Sequence, residues 1–228
     1  MYYEMNEKAN KLKRKWNCPE NHPINIFNLV LNKLKDLTLV FLVMDKDISG
    51  ASINCEDFSI IYINSKHSKG RQAFTIAHEL YHLSVDENTL NLCANSHEEI
   101  EKRANLFASC FLMSNGALEL YEKEHNIKNW SLNDIIDAEQ YFQISHKAML
   151  KRLLKSKKLS KKDYEKYKND IKTNASKRGY DLSLYNPFLE KDYFTLGNYI
   201  TLTELAHEKK LISLGKKEEL LNEAYLIK

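Results

Sequence analysis

No apolar run in the 228-residue sequence approaches the roughly 18 residues needed to cross a bilayer. The opening stretch from Met1 to Trp16 is polar and helical in pattern rather than signal-like, so the chain is expected to be cytoplasmic, with no membrane partner. The four cysteines, Cys18, Cys55, Cys93 and Cys110, form no C-x-x-C pair. That spacing excludes a zinc ribbon and gives no sign of a disulfide framework, leaving reduced thiols. Cys18 with His22 and Cys93 with His97 each stand four apart, but neither pair has a matching second half, so each Cys reads as a small hydrophobe. Internal repeats are also lacking.

What is present, 43% hydrophobic and 29% charged residues, is the composition of a globular protein that can bury a core. The formal net charge of +3 conceals an asymmetry. Residues 147–178 hold 13 Lys and Arg against Asp163, Glu165 and Asp170, leaving the remainder at −7.

Periodicity sets out the elements. Ala9, Leu12 and Trp16 share a helical stripe, and a second helix after Pro23 carries Ile26, Phe27, Val30 and Leu34. The short apolar runs 37–43 and 58–64 read as strands of a small antiparallel sheet. A helix is expected over 72–85, and another from a Ser96/Glu99 capping box to about Met113. Ser131 and Asp134 cap a short helix, and 144–154 forms the second member of a helix-turn-helix-like pair. A Tyr-rich, turn-prone segment then leads to a helical pattern over 202–226. The fold class is therefore α+β and mostly helical. Three parts are expected: a metallopeptidase domain at 1–128, a basic helix-turn-helix-like segment at 129–178 and a C-terminal helical segment at 179–228.

The residues that carry chemistry are His78-Glu79-Leu80-Tyr81-His82, an H-E-x-x-H motif. On a helix the i, i+4 spacing stacks both imidazoles on one face, where they can share one zinc ion. Glu79 starts about 100° round the helix from His78, poorly placed to ligate but well placed as general base toward a water. The motif lies in an otherwise apolar helix, where two imidazoles and a carboxylate need partners to offset their desolvation.

A catalytic zinc needs a third protein ligand. The metzincin extension fails, because Val85 and Asn88 stand where Gly and the third His belong. Asp86 would place three ligands along about 12 Å of one helix axis, too far for one ion. A second helix must contribute, and it offers Glu98, Glu99 and Glu101. One turn after the first two come Lys102 and Arg103, whereas Glu101 is followed by Asn105, which could hydrogen-bond a ligating His and fix its ring. Glu101 is the expected third ligand.

The stretches Phe74-Thr-Ile-Ala-His-Glu-Leu-Tyr-His82 and Glu101-x-x-Ala-Asn-x-Phe-Ala108 resemble the ImmA/IrrE metallo-endopeptidases. The similarity extends to Ser49-Gly50-Ala51, the strand ending at Asn64 and the segment from Phe142 to Leu153, covering roughly residues 5 to 155. The resemblance implies a gluzincin-like zinc site with His78, His82 and Glu101 as ligands and Glu79 as base. It also implies cleavage of a partner helix-turn-helix repressor that relieves repression in a mobile element or stress response. Two positions depart from the family pattern: Tyr81 where Gly is usual, and Ser114 where Pro is common. Tyr81 is a candidate for polarising a carbonyl in the transition state or for packing, with His97, His146 and Tyr141 as further candidate donors. The alternative readings are a DNA-binding or sensory regulator with a non-catalytic metal site, its 144–154 helix entering DNA, and a toxin component.

Overall fold

The computed structural model describes residues 1–84 and 94–225, apart from the side chains of residues 94–97, 223 and 225. Val85, Asp86, Asn88, Cys93 and the side chains of Ser96 and His97, all named above, lie outside the described residues. Two helices come first, α1 (Tyr2–Lys15) and α2 (Ile26–Lys33), the latter capped by the Asn25 side chain, which accepts from the Asn28 amide at 3.3 Å. Three strands follow: β1 (Leu37–Leu42), β2 (Gly50–Asn54) and β3 (Ser59–Asn64). The motif helix α3 (Lys69–Ser84) leads to α4 (Ala94–Leu112) and α5 (Asn115–Glu124). Next come the pair α6 (Leu132–Phe142) and α7 (His146–Lys155) and the short α8 (Lys161–Tyr167) and α9 (Ile171–Lys177). Strand β4 (Phe194–Gly197) and helices α10 (Tyr199–Glu208) and α11 (Leu214–Tyr225) complete the described chain.

The α+β class stands, but the sheet is mixed rather than antiparallel, with strand order β2-β3-β1-β4. The two strands read from the sequence, β1 and β3, pair parallel from Leu37 opposite Ser59 to Leu42 opposite Asn64. The reason is the intervening β2, which forms the antiparallel hairpin with β3 and so returns the chain in the direction of β1. The segment expected to be helical after residue 179 also supplies β4, antiparallel to β1. Phe194 of β4 stacks on Phe41 of β1 at 4.1 Å, and Phe188 stacks on Phe27 of α2 at 4.6 Å. These rings add packing beyond their buried area.

Helix α3 lies between the sheet and α4, with Ala73, Ile76, Ala77 and Leu80 buried. Its buried Gln72 is satisfied on both ends: the amide donates to Asn64 and Ser65 carbonyls, and Oε1 accepts from the Phe188 amide. Helix α4 is held from behind by α1 through Ala104, Phe107 and Phe111 against Met5, Ala9 and Trp16. The α6–α7 pair turns through Gln143 at a positive φ of 55°. It then packs so close to α3 that a Cβ on Gly70 would sit 2.7 Å from the Ser145 nitrogen. The site is thus built where three helices and a sheet edge converge.

Candidate metal centre

Phe74, His78 and His82 form one partly exposed stripe of α3, at i, i+4 and i+8, while the rest of the helix surface is largely buried. The two imidazoles therefore emerge together at the edge of the core. Their Nε2 atoms stand 3.3 Å apart. From α4, Glu101 brings one carboxylate oxygen to 3.1 Å from His78 Nε2 and the other to 3.3 Å from His82 Nε2.

These separations test whether a metal fits. Ligand atoms held about 2.0–2.1 Å from one tetrahedral ion stand about 3.3–3.4 Å from one another. The 3.1–3.3 Å separations of the His78, His82 and Glu101 ligand atoms match that spacing. The donor set, two imidazoles and a carboxylate, suits a zinc-like divalent cation. Among the described residues this is the one cluster of three or more such side chains with ligand atoms mutually within 4.8 Å. Asn105, one turn beyond Glu101, hydrogen-bonds the His78 side chain and donates to the Glu101 carbonyl at 2.8 Å.

Glu79 is 7% exposed, and its Oε2 accepts from Ser52 Oγ at 2.7 Å. Burial pushes its carboxyl up to about 7, against the Ser52 hydrogen bond and with a smaller push from Glu101. Burial lowers the His78 imidazole below its ordinary range, opposed by Glu101 and reinforced by His82. The lowered imidazole favours the neutral form that metal binding requires, while the raised carboxyl is a stronger base that is partly protonated near pH 7.

The IrrE N-terminal-like domain model (Peptidase_M78) matches residues 31–154, more than half of the chain. The chain belongs to the ImmA/IrrE family. This family is of metallopeptidase type, which implies a bound metal. No curated protein matches. A solved structure, a Mycobacterium tuberculosis transcriptional regulator, is similar at 14% identity with a TM-score of 0.48, over 66% of this chain. The match spans 46% of that protein's length, so this chain corresponds to less than half of it.

In this ImmA/IrrE chain the His-His-Glu cluster opens into a cleft of about 1550 Å³ bounded by β2, α3, α4 and α7. Strand β2 is the sheet's outer strand there. The Asn64 amide donates to the Ser49 carbonyl and the Cys55 amide to the Phe58 carbonyl, so with the observed register the odd-numbered β2 residues bond to β3. The backbone groups of Gly50, Ser52 and Asn54 are left on the free edge, beside Glu79.

The other candidate residues are placed differently. Tyr81, proposed to polarise a carbonyl, is 3% exposed, lies outside the cleft lining and sets its ring against Phe107 and the edge of His82. This is the packing alternative. His146 touches the cleft, but its Nδ1 faces Glu139 at 2.5 Å and its Nε2 the Tyr167 carbonyl at 2.8 Å, so neither nitrogen is left for a substrate. Tyr141 packs on Tyr121 and Phe142 away from the cleft lining. Ser52 and the cleft-lining Arg71, which donates to Ser49 Oγ at 2.9 Å, were missed by reading the sequence. The Ser49-Gly50-Ala51 similarity was the available signal for this strand edge.

Proposed function

We propose that the chain is a zinc-dependent endopeptidase that hydrolyses a peptide bond in a partner protein, with a helix-turn-helix repressor as the substrate the family resemblance favours. The observation that carries this is the meeting of His78, His82 and Glu101 at 3.1–3.3 Å beside a buried Glu79, in a cleft bordered by the free edge of β2. His78, His82 and Glu101 would hold the metal, with Asn105 orienting His78. Bound there, the ion supplies Lewis acidity, polarising the scissile carbonyl and making water more acidic.

The chain's own groups do the rest. A substrate segment adds as an extended strand along the free edge at Gly50, Ser52 and Asn54, which fixes its carbonyl over the cluster. Glu79, held through one oxygen by Ser52, takes a proton from the attacking water with the other. As the oxygen–carbon bond forms and the carbon–nitrogen bond breaks, it passes that proton to the leaving amine. Burial raises the Glu79 carboxyl to about 7, which strengthens it as a base.

Cleavage of a mixed casein-derived peptide pool by the zinc-loaded wild type and Glu79→Gln tests this reading. The wild type should cleave, and Glu79→Gln should be slower by roughly 10²- to 10⁴-fold with its metal retained. Equal cleavage by the two proteins would refute the assigned role.

A further inference from the structure

Part of the cleft lining carries an uncompensated row of positive charge. Lys147, Lys151 and Lys155 stand at i, i+4 and i+8 on α7, exposed and lining the cleft, while Met149, Leu150 and Leu153 bury the opposite face. Like charges at this spacing oppose helix formation. Among the described residues none of the three forms an ion pair, although other cations of the same basic stretch do: Lys158 with Glu122, Lys168 with Glu165 and Arg178 with Asp137. The Lys151 ammonium is lowered by burial and by repulsion from its two lysine neighbours.

Beneath the row lies Arg152, 1% exposed and, among the described residues, without a carboxylate partner. Its Nη2 donates to the Met113 carbonyl and to Asn115 Oδ1, its guanidinium covers the Tyr2 ring at 4.9 Å, and Nε and Nη1 have no hydrogen-bond partner. A buried cation unpaired by any anion adds to the positive field at this wall. Hydrogen bonds and the Tyr2 ring offset part of the cost at Arg152, but among the described residues no carboxylate neutralises it or the lysine row, which points to an anionic partner.

We propose that the α7 wall binds an acidic stretch of the polypeptide whose scissile bond is presented to the His78–His82–Glu101 cluster. This rests on the peptidase reading and adds a substrate class to it: proteins with a run of Asp and Glu near the cleaved bond. Lys147 to Lys155 spans about 12 Å of helix, the length of roughly four residues of extended chain. A nucleic acid fits this cleft less well. Its charge repeats at every unit, and the same cleft is lined by Asp47, Glu79 and Glu101, whereas a polypeptide can be acidic at one end of the cleft and neutral at the other.

The test uses zinc-loaded Glu79→Gln protein and anisotropy at low salt. The probes are a fluorescein-labelled peptide with a run of about four acidic residues, its Asn/Gln counterpart and a random-sequence DNA duplex. Three exposed ion pairs should make the acidic peptide bind roughly tenfold to thirtyfold more tightly than the amide peptide. Joint Lys147→Gln, Lys151→Gln, Lys155→Gln substitution should erase the difference, and the corresponding Glu substitutions should reverse it, with metal content unchanged. Equal affinity for the two peptides, a preference that survives both sets of substitutions, or tighter binding of the duplex than of the acidic peptide would overturn the proposal. Metal uptake and cleavage without charge preference would remove this inference alone. Charge preference without metal uptake would remove the peptidase reading and leave the acidic-peptide surface.

Discussion

Lys13 is a charge buried where it helps to hold α4, the helix that carries Glu101, and replacing it with Met should stabilise the protein. It lies on the face of α1 that packs against α4, 0% exposed, with its Nζ donating to the Glu20 carbonyl at 3.1 Å and lying 5.7 Å from the Phe111 ring centre. Burial lowers its ammonium from 10.5 to about 8, despite the opposing influence of Cys18 and Glu20. A shift of that size corresponds to about 3 kcal/mol lost at pH 7 by carrying the charged form into the core. Met fills nearly the same volume with no charge, and the Glu20 carbonyl keeps its bond from Ser114 Oγ at 2.9 Å. The folded state binds the proton less tightly than the unfolded chain, so between about pH 8 and 10.5 the unfolded chain carries more protons and wild-type stability rises with pH. Urea unfolding at pH 7 and pH 10 measures both effects. Lys13→Met should be more stable by about 3 kcal/mol at pH 7, with most of that advantage gone by pH 10. An advantage equal at the two pH values would refute the titration argument, and a destabilised variant would show that the Glu20 and Phe111 contacts outweigh the buried charge.

Three further substitutions probe the scaffold. Gly70→Ala drives a Cβ into backbone atoms of Ile144 and Ser145, as near as 2.7 Å, and should cost about 1–3 kcal/mol in thermal or urea unfolding because neither helix can yield cheaply. Glu139→Ala strips partners from buried His146 and from Tyr185, whose hydroxyl donates to Glu139 at 3.0 Å, and should cost about 3–5 kcal/mol by the same measurement. Asn105→Ala should weaken metal affinity by roughly 10- to 100-fold in a competitive chelator titration, with the unfolding midpoint of the metal-free protein nearly unchanged.

Much of the site was legible because its chemistry is local. The His78, Glu79 and His82 spacing needs only a helix to bring the side chains to one face, and Glu101 was set apart from Glu98 and Glu99 by Asn105 one turn on. The sheet was less legible, since its pairing depends on distant residues. Gly50-Ala-Ser-Ile-Asn54 has little strand propensity of its own. It is a strand because it pairs with β3 and because a Cβ at Gly50 would sit 2.4 Å from the Tyr62 carbonyl oxygen, so glycine permits the approach. The Ser52 contact to Glu79 joins residues 27 apart and has no local signature. Strand β4 is four residues long, too short for an alternation to register. Ser114, seen in the sequence as a departure from a common Pro, caps α5 by accepting from the Ala117 amide at 3.0 Å.

The most direct test of the central claim is the zinc content of the purified protein after exhaustive dialysis, beside His82→Ala and Glu101→Ala. The account predicts about one ion per chain in the wild type, as a site with three protein ligands requires, and loss or marked weakening in both variants while they remain folded. A folded wild type that takes up no added zinc, or variants that keep the full complement, would contradict it.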